Sequence, residues 1–246
     1  MVKKLKEASL TTKYHIINFV LRGCLFIGAV AVYVTKRIEY GSFSFINGEN
    51  MPWYILPVWL FFMVEVVLRF IPTKLDPPGC KKHFKSQFVP TGATEPKHAS
   101  WKGAGIVGAI WVAAHAILGI LYHFDVVDKG ILVLFMLFYS VCDMICVLFV
   151  CPLQKLFMKN RCCADCRIYN WDFAMMFTPL IFIPHFYTWS LAAVSLVLLV
   201  KWEYTAFKHP ERFSVNTNSC LSCKNCPEKC CRHKKSLKKK QKKVNV

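Results

Sequence analysis

GILVLFMLFYSVCDMICVLFVC, residues 130–151, decides the fold class of this chain. Asp143 is its one charged residue. A helix rising about 1.5 Å per residue over such a stretch crosses the ~30 Å hydrocarbon layer of a bilayer. Apolar on every side, it has no stripe to turn toward water. Working outward, three runs of the same kind lie at 15–35, 52–71 and 104–124. The stretch from Ile168 to Trp202 is too long for one upright span, and Pro179 and Pro184 interrupt it. Because proline cannot donate to the helix ladder, we read two short spans, 168–184 and 186–203, turning at Pro184-His185. One long kinked helix is the alternative. The whole composition agrees: 55% of the 246 residues are hydrophobic, and the mean hydropathy is +0.35. The expected fold is an all-α integral membrane protein, a polytopic bundle of six transmembrane helices.

Charge orients it. Lys3, Lys4, Lys6 and Lys13 precede the first span, and Lys74, Lys81, Lys82, Lys85, Lys97 and Lys102 occupy the loop 72–103. Lys155, Lys159, Arg161 and Arg167 follow the fourth span. The loops after spans one and three lack such an excess, so basic and non-basic loops alternate. A polybasic tail at 232–246 returns the C-terminus to the N-terminal side, and both ends inside require an even number of spans. The organisation expected is a cytoplasmic N-terminus at 1–14, a bundle at 15–203 and a cysteine-rich segment at 204–231 before that tail. The chain belongs in an inner or plasma membrane as a multi-pass protein with both termini cytoplasmic. Its first span is too long for the apolar core of a cleaved leader.

This topology sorts the 13 cysteines. Cys80, Cys151, Cys162, Cys163, Cys166 and five tail cysteines fall in cytoplasmic segments. Cys24, Cys142 and Cys146 lie in the cytoplasmic halves of spans one and four, and none falls in an external loop. Thiols kept in a reducing compartment point to metal binding or redox chemistry rather than to a disulfide framework.

The tail reads Cys220-Leu-Ser-Cys223-Lys-Asn-Cys226-Pro-Glu-Lys-Cys230-Cys231. Its C-x2-C-x2-C-x3-C spacing resembles the run with which bacterial ferredoxins hold a [4Fe–4S] cluster. The resemblance covers residues 220–230. It implies that Cys220, Cys223 and Cys226 share one cluster, with a fourth ligand from Cys230 or from the group Cys151, Cys162, Cys163 and Cys166. Cys231 is a further candidate. The chain departs from the ferredoxin pattern in placing Pro227 after the third cysteine and in having no second run. Cys146 to Pro152 is similar to the C-x3-C-P stretches of membrane-bound ferredoxin-type proteins that hand quinol electrons to reductases. Here the spacing is x4, which on a continued helix puts the two thiols on different faces. Zinc is the competing metal: Cys163-x2-Cys166 and Cys220-x2-Cys223 together have the make-up of a closed four-cysteine site.

Ionisable residues within the spans form a second signal, since each is costly in lipid unless paired or hydrated. Arg22, Glu65, Arg69, Asp143 and Asp172 fall at similar depth in the cytoplasmic half. Glu65 and Arg69 are spaced i, i+4, and Arg22 can meet Asp143 across helices. The cluster reads either as interhelical glue or as a proton path or quinone-headgroup pocket. His115, mid-way along span three, is a possible relay, but has no histidine partner at matched depth for a haem. The loop 72–103 holds five prolines and is expected to carry little regular structure, with Cys80-x2-His83 as a minor ligand candidate. The basic tail suits anionic lipid headgroups, and no stacking platform or folded module suggests nucleic acid. No phosphate-binding glycine loop, metalloprotease motif or serine elbow is present.

The function these observations suggest is membrane-associated electron transfer through a cytoplasmic cysteine-ligated centre, iron–sulfur before zinc, with quinone or a soluble electron carrier as partner. The alternatives are a transporter-like or scaffolding protein with structural zinc, and a protein that transports or senses a soft metal.

Overall fold

The computed structural model describes residues 10–40, 55–73, 78–93, 95–96, 101–149, 151–158 and 166–222. The described chain is helical, and its one β feature is an isolated antiparallel bridge between Pro90 and Asn218. Helix α1 spans Leu10–Tyr40, α2 Ile55–Leu68 and α3 Pro78–His83. Helix α4 spans Trp101–His123, α5 Lys129–Leu148, α6 Asp172–Phe177 and α7 Phe186–Lys208. Four of these, α1, α4, α5 and α7, are long and apolar enough to cross a membrane. Their outward faces carry Ile17, Ile27, Val112 and Val197 in exposed positions, while Arg22, His15 and Asn18 are buried. That inside-out distribution is what a lipid solvent selects.

Two further apolar segments are shorter. Helix α2 has 14 residues, about 21 Å of rise. The stretch 169–182 is broken: a three-ten turn at Tyr169–Trp171, then α6, then a three-ten segment at Thr178–Phe182. Three-ten turns rise further per residue, so this stretch also covers roughly 25 Å. It runs alongside α4. Trp171 lies against Gly108, and a Cβ placed on Gly119 would stand 2.5 Å from the Phe182 ring. A glycine at 119 is what allows the tapered, three-ten end of the segment to approach the α4 backbone. At Ile183–His185 the chain turns and α7 starts afresh, with the Tyr187 amide donating to His185 Nδ1. Side chains of α7 close the turn: Thr188 Oγ1 donates to the carbonyls of Ile183 (2.6 Å) and His185 (2.8 Å), and Trp189 Nε1 to that of Ile181 (3.1 Å).

The bundle has two unlike ends. At the short-link end, residues 124–128 join α4 to α5, with Asp125 at positive φ. There Asp128 caps α5 by accepting from the Ile131 amide, and receives Tyr33 and Arg37 from α1. At the loop-rich end the expectation of an irregular loop 72–103 needs correcting for its described part. Helix α3 and a three-ten turn at Lys85–Gln87 form there, and the following strand-like stretch docks on residues 216–219. Thr91 N donates to Thr217 O (3.2 Å) and Ser219 N to Val89 O (2.9 Å). A local sequence pattern carries no trace of this docking, because its partner lies about 130 residues away.

Candidate thiol and metal centre at the loop-rich end

Three segments converge at this end. Helix α3 lies beside both the Tyr169–Trp171 turn and the Ser219–Leu221 turn. His83 is buried, within hydrogen-bonding distance of Asn170 (3.2 Å), and stacks on Phe213 at 4.4 Å. Cys80 is 1% exposed and belongs to the core. Asn218 is the pin of the assembly and is wholly buried. Its Oδ1 accepts from the amides of Val89 (3.4 Å) and Cys220 (3.1 Å), and its Nδ2 donates to the carbonyls of Arg212 (3.0 Å) and Lys82 (3.4 Å). The first cysteine of the tail run is thereby fixed against the loop-rich end. Cys223, Cys226, Cys230 and Cys231, like Cys162 and Cys163 and the polybasic tail, lie outside the described residues.

Sequence reasoning missed Lys82. Its ammonium is buried and has no partner among the described residues. A lone buried ammonium is expensive, so this spot calls for negative charge.

Deeper in the bundle, a cavity of about 150 Å³ is walled by Cys142 and Cys146 of α5, Cys151 of the following link and Cys166 ahead of α6. Met175 and Met176 complete its soft lining, with Asp143 and Asp172 beside them. The expectation that Cys146 and Cys151 face apart is corrected here. Helix α5 ends at Leu148, and Phe149 leaves helical geometry at φ −120°, ψ −79°. The helix does not continue to residue 151, and the Cys146 thiol hydrogen-bonds that of Cys151. Sequence spacing misled because it assumed that the helix continued through residue 151. Among the described residues, no three His, Cys, Asp or Glu side chains close to metal-binding distance.

The five ionisable residues singled out within the spans form two groups. Arg22, 1% exposed, holds Glu65 at 2.6 Å and Asp143 at 3.2 Å, and also donates to the Ser140 carbonyl at 3.0 Å. Asn18 adds a hydrogen bond to Glu65, and the guanidinium lies over the Phe62 ring. Arg69 turns to Asp172 at 3.0 Å and covers Phe173. Its ion pair is therefore across helices, in place of the i, i+4 pair with Glu65, because Arg69 lies past the last residue of α2 where the helical register no longer holds. A third group was not foreseen. Arg167 grips Glu203 with both guanidinium nitrogens (2.7 and 2.5 Å), and Trp171 donates to the same carboxylate at 2.6 Å. His115 is buried between Trp111 (ring centroids 4.1 Å apart) and Tyr139 (5.7 Å), with Nδ1 at 2.9 Å from the Trp111 carbonyl.

Toward the short-link end an apolar cavity of about 640 Å³ opens between α1, α2, α5 and α7. Phe62, the ring beneath Arg22, is part of its wall. Compared with protein-family models, curated proteins and solved structures, the chain matches none. Its site has to be read from its own residues.

Proposed function

We propose that this chain is a six-span integral membrane protein with both termini cytoplasmic, carrying a cysteine-ligated iron–sulfur centre at its loop-rich end and passing electrons between a soluble carrier and quinone. In this reading α2 and the stretch 169–182 complete the set of spans begun by the four long helices. What carries it is the pairing of two facts. Asn218 holds Cys220, the first thiol of a ferredoxin-like run, against the bundle, and the buried Lys82 ammonium on the same patch has no partner among the described residues. A thiolate-ligated cluster has net negative charge, a counter-charge that the described residues do not give Lys82. Cys220, Cys223 and Cys226 would hold the cluster, with Cys230 or a cysteine of the 162–163 pair as fourth ligand. When bound, such a cluster supplies one-electron transfer.

The chain's own residues supply the rest. Cys220 is partly buried at the loop-rich end. The apolar cavity of about 640 Å³ is within the size range of small-molecule sites and suits an isoprenoid quinone better than a polar ligand. Carboxylates at Glu65 and Asp143, held by Arg22 behind Phe62, would exchange the protons that quinone chemistry requires. The basic tail rests on anionic headgroups.

The test is anaerobic purification in detergent followed by iron, acid-labile sulfide and zinc analysis with an absorption spectrum. Broad absorbance near ~400 nm with bound iron and sulfide supports the reading. It should vanish in Cys223→Ser and persist in Cys24→Ser, whose thiol is exposed on α1. A colourless protein with stoichiometric zinc overturns it in favour of a structural four-cysteine site.

A further inference from the structure

We propose that the thiol-lined cavity at the end of α5 is a second, separate metal site, one that takes a soft monovalent cation, copper(I), on Cys146 and Cys151. The inference does not depend on the iron–sulfur reading, since neither thiol belongs to the tail run.

Three observations carry it. The first is donor chemistry: four cysteines and two methionines face one cavity of about 150 Å³. Thiolates and thioethers together select copper(I) over harder divalent ions. The second is the count of donors that meet. The Cys146 and Cys151 thiols are in hydrogen-bonding contact, and both line the cavity. Structural zinc wants four protein ligands, whereas a monovalent d10 ion is satisfied by two thiolates, with Met175 or Met176 as a weak third donor. The third is how the pair is made. Helix α5 stops at Leu148 and Phe149 is outside helical geometry, so the spacing that would separate the Cys146 and Cys151 thiols on a continued helix does not apply.

Binding one Cu⁺ to two thiols releases two protons and leaves the thiolate pair with one negative charge. The Asp143 and Asp172 carboxylates line the cavity and are themselves paired with Arg22 and Arg69. Those carboxylates also offer the departing protons a first acceptor.

The experiment titrates the full-length, metal-free protein in detergent with copper(I) under anaerobic, reducing conditions. A chromophoric copper(I) chelator competes, and X-ray absorption reads the bound metal. Wild type is expected to hold one equivalent more than the Cys146→Ser/Cys151→Ser variant. In a variant with Cys220, Cys223, Cys226, Cys230 and Cys231 all changed to serine, which removes competing tail thiols, copper should remain in a sulfur-only shell. Adding Cys151→Ser alone to that background should cost at least about tenfold in affinity, and adding Met176→Leu alone should cost less. Cys24→Ser should change nothing. Equal copper(I) capacity and affinity in wild type and the Cys146/Cys151 double variant would overturn the proposal, as would zinc competing as well as copper in the background without tail thiols. Serine is close to isosteric with cysteine, and an unchanged melting transition confirms that the variants fold. Iron and sulfide content reports on the tail run alone, so either proposal can fail without the other.

Discussion

The two ends of this bundle solve the same problem of joining helices by opposite means. At the short-link end the described connections are tight, and Tyr33, Arg37 and Asp128 form a charged cluster whose arginine is half in solvent, with a side chain 54% exposed. At the loop-rich end the connections are long, and residues from positions 80–91, 166–171 and 210–221 are woven together under buried polar side chains. A link whose only task is to reverse the chain can be short and wet. The buried hydrogen bonds of the other end cost desolvation, and they bring thiols from distant parts of the chain to fixed positions.

Three substitutions measure that contrast. The largest effect is expected from Arg22→Ala, which leaves Glu65 and Asp143 buried without their shared cation. Breaking a buried ion pair from one side typically costs about 3–5 kcal/mol, so the variant should lose roughly that much in denaturant unfolding from detergent micelles. Adding Glu65→Gln and Asp143→Asn should recover most of it. If Arg22→Ala alone is neutral, the buried charge layer is hydrated and the contrast between the ends collapses.

Next comes Asn218→Ala. It removes an acceptor from two amides and a donor from two carbonyls in a wholly buried position. At about 1 kcal/mol per net hydrogen bond, with partial rescue by water, a loss of about 2–3 kcal/mol is expected. The sharper readout is local. Alkylation of Cys220, followed by peptide mass spectrometry, should accelerate several-fold while that of Cys142 does not. An unchanged Cys220 rate would mean that something other than Asn218 pins the tail.

The smallest effect belongs to Arg37→Ala at the other end. An exposed pair of this kind contributes about 0–1 kcal/mol, so its melting temperature should barely move and any shift should disappear in high salt. A loss comparable to that of Arg22→Ala would show that the short-link end is as tightly built as the other.

What could be read in the sequence follows the same division. Apolar runs announced the long helices because membrane helices declare themselves by local composition, and the run at 130–151 contained α5 within a few residues of each end. Arg22 and Asp143 stood out because charge in an apolar run is rare. Three things were hidden. The partner of Arg69 could not be read, because the i, i+4 rule presumes a helix that in fact ends at Leu68. Cys146 and Cys151 looked mismatched for the same reason, their meeting depending on where α5 stops. Asn218 and Lys82 gave no signal at all: an asparagine in a polar stretch looks like loop, and only a tertiary contact turns it into a pin.

The α7 side chains that close the turn after Phe182 also bear on how the protein is made. With three-ten turns and prolines, residues 169–182 carry carbonyls that their own helix does not satisfy, and Thr188 and Trp189 supply donors at the end of the stretch and in the turn that follows it. In a bilayer each such carbonyl left bare costs several kcal/mol. On the membrane reading, the end of the broken stretch is expected to enter lipid together with α7, as one hairpin.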